Sequence, residues 1–271
     1  MQTNSGQCRH QGWLLAAAAL MGCLPAAAPC AAAMHTESVV YRQGGVELEG
    51  YLAYSEAVKA PMPAVIIVHD WMGLGDFAKA KARDLAAMGY LAFAADIYGK
   101  GVRPAGMPEA AKLATQYKAD RKLLRARVLA AYDLVRQLSR VDPKRVAAIG
   151  YCFGGTTALE LARAGAEVAG VVSIHGGLGS PTPDDARNIK GKVLALHGAD
   201  DPNVPPSEVA GFEDEMRKAG VDWQLVKYGG AVHAFTNPEA GHDNSKGAAY
   251  NEKADRRSWE ALKQFFGEIF R

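Results

Sequence analysis

From Val46 onward the chain alternates short β-rich apolar runs with longer helical stretches. The runs Val46–Tyr54, Ala64–Val68, Tyr90–Ala94, Val146–Ile149, Gly170–Ile174, Val193–Leu196 and Trp223–Tyr228 predict strands. Several of these are unbroken by polar residues, as in strands that other layers cover on both sides. The stretches Phe77–Met88, Glu109–Leu138, Gly155–Ala164, Ser207–Ala219 and Gly247–Phe270 predict helices, the second of them broken near Lys118-Ala119-Asp120. This alternation predicts an α/β fold with a mostly parallel central sheet and helices on both faces. No internal repeat or low-complexity linker interrupts it, so residues 34–271 are expected to form one domain.

The first 33 residues follow a different pattern. Arg9 is their one charged residue; an apolar run from Trp13 to Leu24 follows, then small residues ending Cys30-Ala31-Ala32-Ala33. That layout predicts a cleaved secretory signal peptide with an A-x-A site. Leu20-Met21-Gly22-Cys23 also resembles a bacterial lipobox, in which Cys23 would carry the lipid and become the N-terminus. Either route takes the protein out of the cytoplasm, to a periplasmic or secreted location, with membrane attachment only through Cys23.

Composition sharpens this picture in two ways. The chain has 271 residues, 49% of them hydrophobic, enough to bury a full α/β core. With 31 basic and 29 acidic side chains its net charge is +2, which gives no reason to expect nucleic acid as a partner. Cleavage after Ala33 would remove Arg9, lowering the charge to +1, and also Cys8, Cys23 and Cys30. Cys152 would then be the sole cysteine, with no intramolecular disulfide possible, and a lone thiol in an oxidising compartment is a liability unless used or buried. A monomer is expected.

The strongest chemical signal is Gly150-Tyr151-Cys152-Phe153-Gly154-Gly155, between a predicted strand and a predicted helix. G-x-C-x-G in that setting is a nucleophile elbow, in which glycines permit a tight turn that leaves the central side chain exposed above the sheet. The helix N-terminus sets positive dipole and free N–H groups beside Cys152, which favours its thiolate. A buried structural cysteine would fit the motif taken alone. After the strand Val193–Leu196, however, comes His197-Gly198-Ala199-Asp200-Asp201-Pro202-Asn203-Val204-Pro205, and after the last strand Gly229-Gly230-Ala231-Val232-His233-Ala234-Phe235. Nucleophile, acid and histidine thus follow in the chain order of α/β-hydrolases, each at the C-terminal end of a predicted strand.

The chain resembles the dienelactone hydrolase family over about residues 38–270. The resemblance rests on His69-Asp70-Trp71-Met72-Gly73, Asp96-Ile97-Tyr98, Gly150–Gly155, Asp201–Pro205 and His233-Ala234-Phe235. It implies the α/β-hydrolase fold, a Cys–His–Asp triad, hydrolysis of a cyclic enol ester and no metal or cofactor. It assigns Cys152 as nucleophile and His233 as general base. Asp201 matches the start of the family pattern D-x-x-V-P and would orient the histidine, with Asp200 as the alternative. Trp71 and Phe153 would supply the two backbone N–H groups of the oxyanion hole.

Two positions depart from the family. The glutamate that contacts the resting thiol is matched by Asp70, one methylene shorter, and the arginine that holds the substrate carboxylate is matched by Asn237, which cannot pair with that charge. A cationic replacement could come from residues 112–145, which hold ten Lys or Arg and three acids, a net +7. Such a run is ordinarily a solvated helix face; the sharper expectation is that Arg121 or Arg125 reaches the pocket and binds an anionic substrate. His69 and His197 are expected to hydrogen-bond to backbone. His233 and His242 lie nine residues apart with no HExxH motif or cysteine partner, which argues against a metal site.

The expected function is therefore an exported, cysteine-dependent hydrolase of a small ester or lactone, acting through a thioester. A thiol redox protein is the first competitor, but after cleavage it would lack a resolving cysteine. A binding protein on the same fold is the second, and an intact triad speaks against it.

Overall fold

The computed structural model describes residues 33–271; the expected signal peptide and its lipobox cysteine Cys23 lie outside them. Eight strands build one sheet: β1 (Met34–Gln43), β2 (Val46–Ser55), β3 (Met62–Val68), β4 (Leu91–Ala95), β5 (Val141–Tyr151), β6 (Gly170–Ile174), β7 (Lys192–Gly198) and β8 (Trp223–Tyr228). Their order is β1-β2-β4-β3-β5-β6-β7-β8. β1 pairs antiparallel with β2, and β2 with β4; all other neighbours are parallel. This is the α/β-hydrolase fold. Among the described residues six α-helices accompany it: α1 (Asp76–Ala87), α2 (Met107–Ala119), α3 (Arg121–Gln137), α4 (Phe153–Arg163), α5 (Pro206–Ala219) and α6 (Glu252–Ile269).

The unbroken apolar strands have partners on both sides. Ala64, Ile66 and Val68 of β3 join one core with Leu124 and Val128 of α3, Leu159 of α4 and Phe212 of α5. Val65 and Ile67, one residue out of phase, join the other with Leu85 of α1 and Leu262 and Phe266 of α6. The two-residue period of a strand sends successive side chains to opposite faces, so a strand covered twice has no polar position to spare. Arg163, itself buried, ties α4 to α5 through Glu215 at 2.7 Å and also pairs with Glu160 at 3.1 Å.

Asp120 breaks the long helical stretch as the sequence predicts: it ends α2 and caps α3, its carboxylate accepting from the Leu123 N–H at 2.9 Å. Two elements differ from expectation. β1 carries no apolar pattern because it is an edge strand; Tyr41 is its one buried residue, and it is held by pairing with β2 along its whole length across the Gly44-Gly45 turn. α6 starts at Glu252 rather than Gly247, capped by Asn251, whose side chain accepts from the Ala254 N–H at 3.1 Å. The residues before it are diverted to the His233 loop, where the His233 N–H donates to Gly247 O at 3.2 Å and the Ala249 N–H to His233 O at 3.0 Å. Among the described residues no helix is long and apolar enough to cross a membrane.

Candidate active site

The parallel strands end on one edge of the sheet, and the candidate residues stand on the loops that leave it. β5 turns into α4 through Cys152, whose φ of 55° and ψ of −116° lie in a region that L-residues avoid. Such a conformation costs of order 1–3 kcal/mol and persists where packing enforces it. The packing is visible in the glycines: a Cβ on Gly150 would overlap the Gly154 carbonyl, and one on Gly154 would overlap Val68 O. The turn is thus locked between β3 and α4, with the Cys152 side chain projecting above the sheet edge.

His233 comes from the loop after β8 and Asp201 from the loop after β7. Nε2 of His233 lies 2.9 Å from Cys152 Sγ, and Nδ1 lies 2.8 Å from Asp201 Oδ2. Asp201 is buried, and its other oxygen accepts from the Asn203 N–H at 2.8 Å. Asp200 points elsewhere: its carboxylate accepts from the Gly230 N–H at 2.9 Å and closes the turn before the histidine. Burial pulls the His233 proton affinity down, but hydrogen bonds to Asp201 and Cys152 and the charges of both outweigh it, pushing its pKa up to about 10. The shift favours an imidazolium between the Asp201 carboxylate and the Cys152 sulfur.

Trp71 and Phe153 both line the cavity beside Cys152. Neither backbone N–H has a hydrogen-bond acceptor among the described residues, which leaves both donors open. Phe153 is the first residue of α4, where N–H groups have no intrahelical partner. The Trp71 carbonyl accepts from Tyr98 OH at 3.0 Å, which pins that loop from the other side. His69 pins it from below: Nδ1 is 2.6 Å from Asp70 O, and Nε2 accepts from the Ile97 N–H at 3.2 Å. Asp96, fully buried, holds the next loop by accepting from the Tyr98 and Gly99 N–H groups at 3.1 and 3.2 Å. His197 makes no corresponding backbone bond; its Nδ1 is buried without a partner.

The positions matched to the family departures sort differently from expectation. Asp70 lines the cavity, but its carboxylate accepts from the Met72 N–H at 2.8 Å and makes no hydrogen bond to Cys152. Burial pushes the Asp70 carboxyl up, with His69 and His233 opposing. Asn237 also lines the cavity and caps a short turn, accepting from the Glu239 N–H at 3.0 Å. Arg125 is not in the cavity wall: its Nε and Nη1 are held by Glu160 and Asp185, each at 2.7 Å, so its expected role in substrate binding is corrected to a structural one. Arg121 Nε and Nη1 have no hydrogen-bond partner among the described residues, and the residue lines a second chamber.

Sequence reading passed over His175. It is buried at the end of β6, lines the cavity, and stands with its ring centroid 5.4 Å from that of His233. The signal was available, since His175 follows a predicted strand and precedes Gly176-Gly177, the same placement that marks Cys152, Asp201 and His233.

The cavity holds about 750 Å³, and its apolar wall is built from α1 and α2 (Phe77, Met107, Ala111, Ala114) together with Trp71 and Val204. A pocket of this size accepts a small organic ester. Among the described residues no three His, Cys, Asp or Glu side chains group as metal ligands.

Comparison with known proteins agrees with this geometry. The family model "Dienelactone hydrolase family" matches residues 48–270. A relative from Aquifex aeolicus (strain VF5), whose name assigns it provisionally as a carboxymethylenebutenolidase, is 30% identical over 234 residues, covering 85% of this chain and 97% of its own. The solved structure named m3DLH is 39% identical with a TM-score of 0.84, over 87% of this chain and 98% of its own. The crystal structure of a dienelactone hydrolase-like promiscuous phosphotriesterase from metagenomic libraries is also 39% identical, with a TM-score of 0.82, over 88% and 99%. The chain belongs to the dienelactone hydrolase family and is a hydrolase of ester or lactone bonds.

Proposed function

We propose that the hydrolysis runs through Cys152 as nucleophile and a thioester intermediate. The observation that carries this reading is the unbroken line from Asp201 Oδ2 through His233 to Cys152 Sγ, with contacts of 2.8 and 2.9 Å. A protonated His233 beside the sulfur makes a thiolate–imidazolium pair. The thiolate attacks the ester carbonyl, and the developing oxyanion accepts from the Trp71 and Phe153 N–H groups. One such donor is worth about 3–4 kcal/mol of barrier. The carbonyl re-forms as His233 gives its proton to the leaving oxygen, producing the Cys152 thioester and an alcohol or enol. His233, now neutral, takes a proton from water, whose hydroxide adds to the thioester; the acid leaves and the thiolate–imidazolium pair returns. Asp201 fixes the ring and balances its charge throughout. No step calls for a metal or cofactor.

A thiolate suits substrates with good leaving groups, such as enol lactones and activated esters. The test is rapid mixing with a p-nitrophenyl ester. A burst equal to the enzyme concentration, an acyl adduct on Cys152 by intact mass, and loss of both on iodoacetamide treatment are expected. Turnover that survives alkylation of Cys152 would overturn the reading.

We further propose that the protein acts outside the cytoplasm as a monomer, which the charge-poor apolar start of the sequence supports for the location. Protein from its native host should begin near Met34 or at an acylated Cys23; retention of Met1–Gln11 on the mature protein would exclude this.

A further inference from the structure

Helix α2 turns an open face to the cavity. Met107, Ala111, Thr115 and Lys118 line the cavity and recur every three or four residues, so they share one side of the helix, and all four are exposed. The helix is held to the rest of the fold by other positions, Ala114 and Tyr117, which join the core. Met107 is the most exposed large hydrophobic side chain among the described residues, at 68%, and Met72 of the cavity wall is 37% exposed. Beyond Met72 the apolar surface continues. A Cβ on Gly73 would stand 3.5 Å from the Val102 carbonyl, and one on Gly99 would stand 3.3 Å from Val102 Cγ2 and 3.8 Å from Val46 Cγ1. Val102 and Val46 are both exposed, so four of the six exposed large hydrophobic side chains among the described residues line the cavity or adjoin its rim. Isolated exposed apolar residues need no explanation, but a cluster at the opening of a cavity does.

The interior wall has the same character. Phe77, in the first turn of α1, meets Tyr151 edge-on with ring centroids 5.0 Å apart, which holds it as a fixed apolar surface. Apart from Cys152 and His233, the ionisable residues with formal charge in the wall are Asp70, Glu239, Lys118 and Lys246, and their charges cancel. Glu239, Lys118 and Lys246 are exposed and reach water. The cavity thus offers apolar area without a net charge to select an ion. A methylene group fully withdrawn from water against such a face is worth about fourfold in binding.

Resting on the hydrolase reading above, we infer that the open face of α2 seats an extended apolar arm, so that the preferred substrates are neutral esters with an alkyl chain or alkylated aryl group on one side of the scissile bond. The ester carbonyl sits at Cys152, and the arm runs along Ala111 and leaves the cavity over Met107. Methionine suits that exit, because its unbranched, polarisable thioether adapts to chains of differing shape. At about 750 Å³ the cavity is in the range that encloses drug-sized ligands, which leaves room for an arm beside the ester group.

The test uses two pairs of esters. p-Nitrophenyl acetate and hexanoate lengthen the acyl side under one leaving group; 4-methylphenyl and 4-pentylphenyl acetate lengthen the leaving side at constant leaving-group acidity. Below the aggregation limit of each ester, the longer member of at least one pair should have the higher kcat/KM in wild type, by about tenfold or more. Met107→Glu and Ala111→Glu should each lower that long-to-short ratio at least about fivefold, because the arm would then lie against a carboxylate, and Met107→Leu should keep it. Both positions are exposed, and the ratio is read on one protein sample, so a misfolded fraction does not alter it. No chain-length preference in either pair, or a ratio that both glutamate variants leave unmoved, overturns the inference. A preference that arises only above the aggregation limit also overturns it, since it would mean that the apolar rim adsorbs to a lipid-like surface. Independently of turnover, 2-octanone should protect Cys152 from iodoacetamide at lower concentration than 2-butanone in wild type, with a smaller gap in Met107→Glu; equal protection by the two ketones overturns the inference. Chain-length-dependent protection in a protein that hydrolyses neither pair would keep the arm and refute the thioester mechanism, whereas acylation of Cys152 without chain-length preference would do the reverse.

Discussion

The backbone N–H of Cys152 donates to Nδ1 of His175 across 3.1 Å, in a bond shared with the Ile174 carbonyl at 3.0 Å. With Nδ1 accepting, the ring proton lies on Nε2, 2.8 Å from Thr236 Oγ1. One buried imidazole thus joins the nucleophile turn to the loop that carries His233. The described non-glycine residues with left-handed φ are Cys152 (55°), His175 (41°) and Ala234 (57°), and His175 bridges the loops of the other two.

His175 is accordingly a positioning residue. His175→Leu, which removes donor and acceptor together, should lower kcat on an activated ester about tenfold or more. It should also slow iodoacetamide alkylation of Cys152 at a fixed neutral pH, because His233 is no longer held against the sulfur. His175→Gln keeps an acceptor and should recover part of both. Reduced kcat with an unaltered alkylation rate would mean that His175 contributes packing alone.

Acid should destabilise the protein through the same residue. Burial lowers the proton affinity of His69 and holds that of His175 well below the ordinary histidine value. In the unfolded chain both titrate near 6.5, so below that pH the unfolded state binds more protons and stability falls as pH falls. The urea midpoint should be lower at pH 5 than at pH 7.5, and the difference should shrink in His175→Gln. An equal difference in both proteins would remove His175 from the account.

Asp201→Asn should cost on the order of 10³–10⁴ in kcat, since the histidine loses both its orienting carboxylate and the partner of its positive charge. Asp200→Asn disturbs only the turn at Gly230 and should stay within a fewfold of wild type. Steady-state kinetics of the two single variants settles the assignment, and the opposite ranking would contradict it.

Cys152→Ser should be nearly inactive. A free thiol ionises near pH 8.5, so it needs little help to become a thiolate at neutrality, whereas a serine hydroxyl must pass its proton to the base during attack. That step demands tighter nucleophile–base geometry than a preformed thiolate does. The shorter C–O bond also draws the oxygen back from Nε2. A loss of at least about a hundredfold, roughly 2.7 kcal/mol, is expected. The measurement is kcat/KM beside Cys152→Ala on one activated ester, and retention of more than about a tenth of wild-type activity would refute the thiolate argument.

The sequence by itself determined the sheet strands β2–β8, the helices, and the placing of Cys152, Asp201 and His233 after strands in the order the fold requires. These were legible because burial on both faces leaves unbroken apolar runs, and because so tight a strand-to-helix turn leaves no room for a Cβ at positions 150 and 154. Tertiary structure alone decided what depends on neighbours far apart in the chain. β1 shows no apolar signal because an edge strand is held by backbone pairing with β2, which any side chains allow. The choice between Asp200 and Asp201 turned on which carboxylate faces a histidine 32 residues away. Arg121 and Arg125 sit one helical turn apart in the same basic run; Arg125 pairs with Glu160 and Asp185, while Arg121 forms no ion pair among the described residues. Charge along a sequence sets how many ions there are, but only the fold brings partners within bonding distance, and that proximity is what makes Arg125 structural.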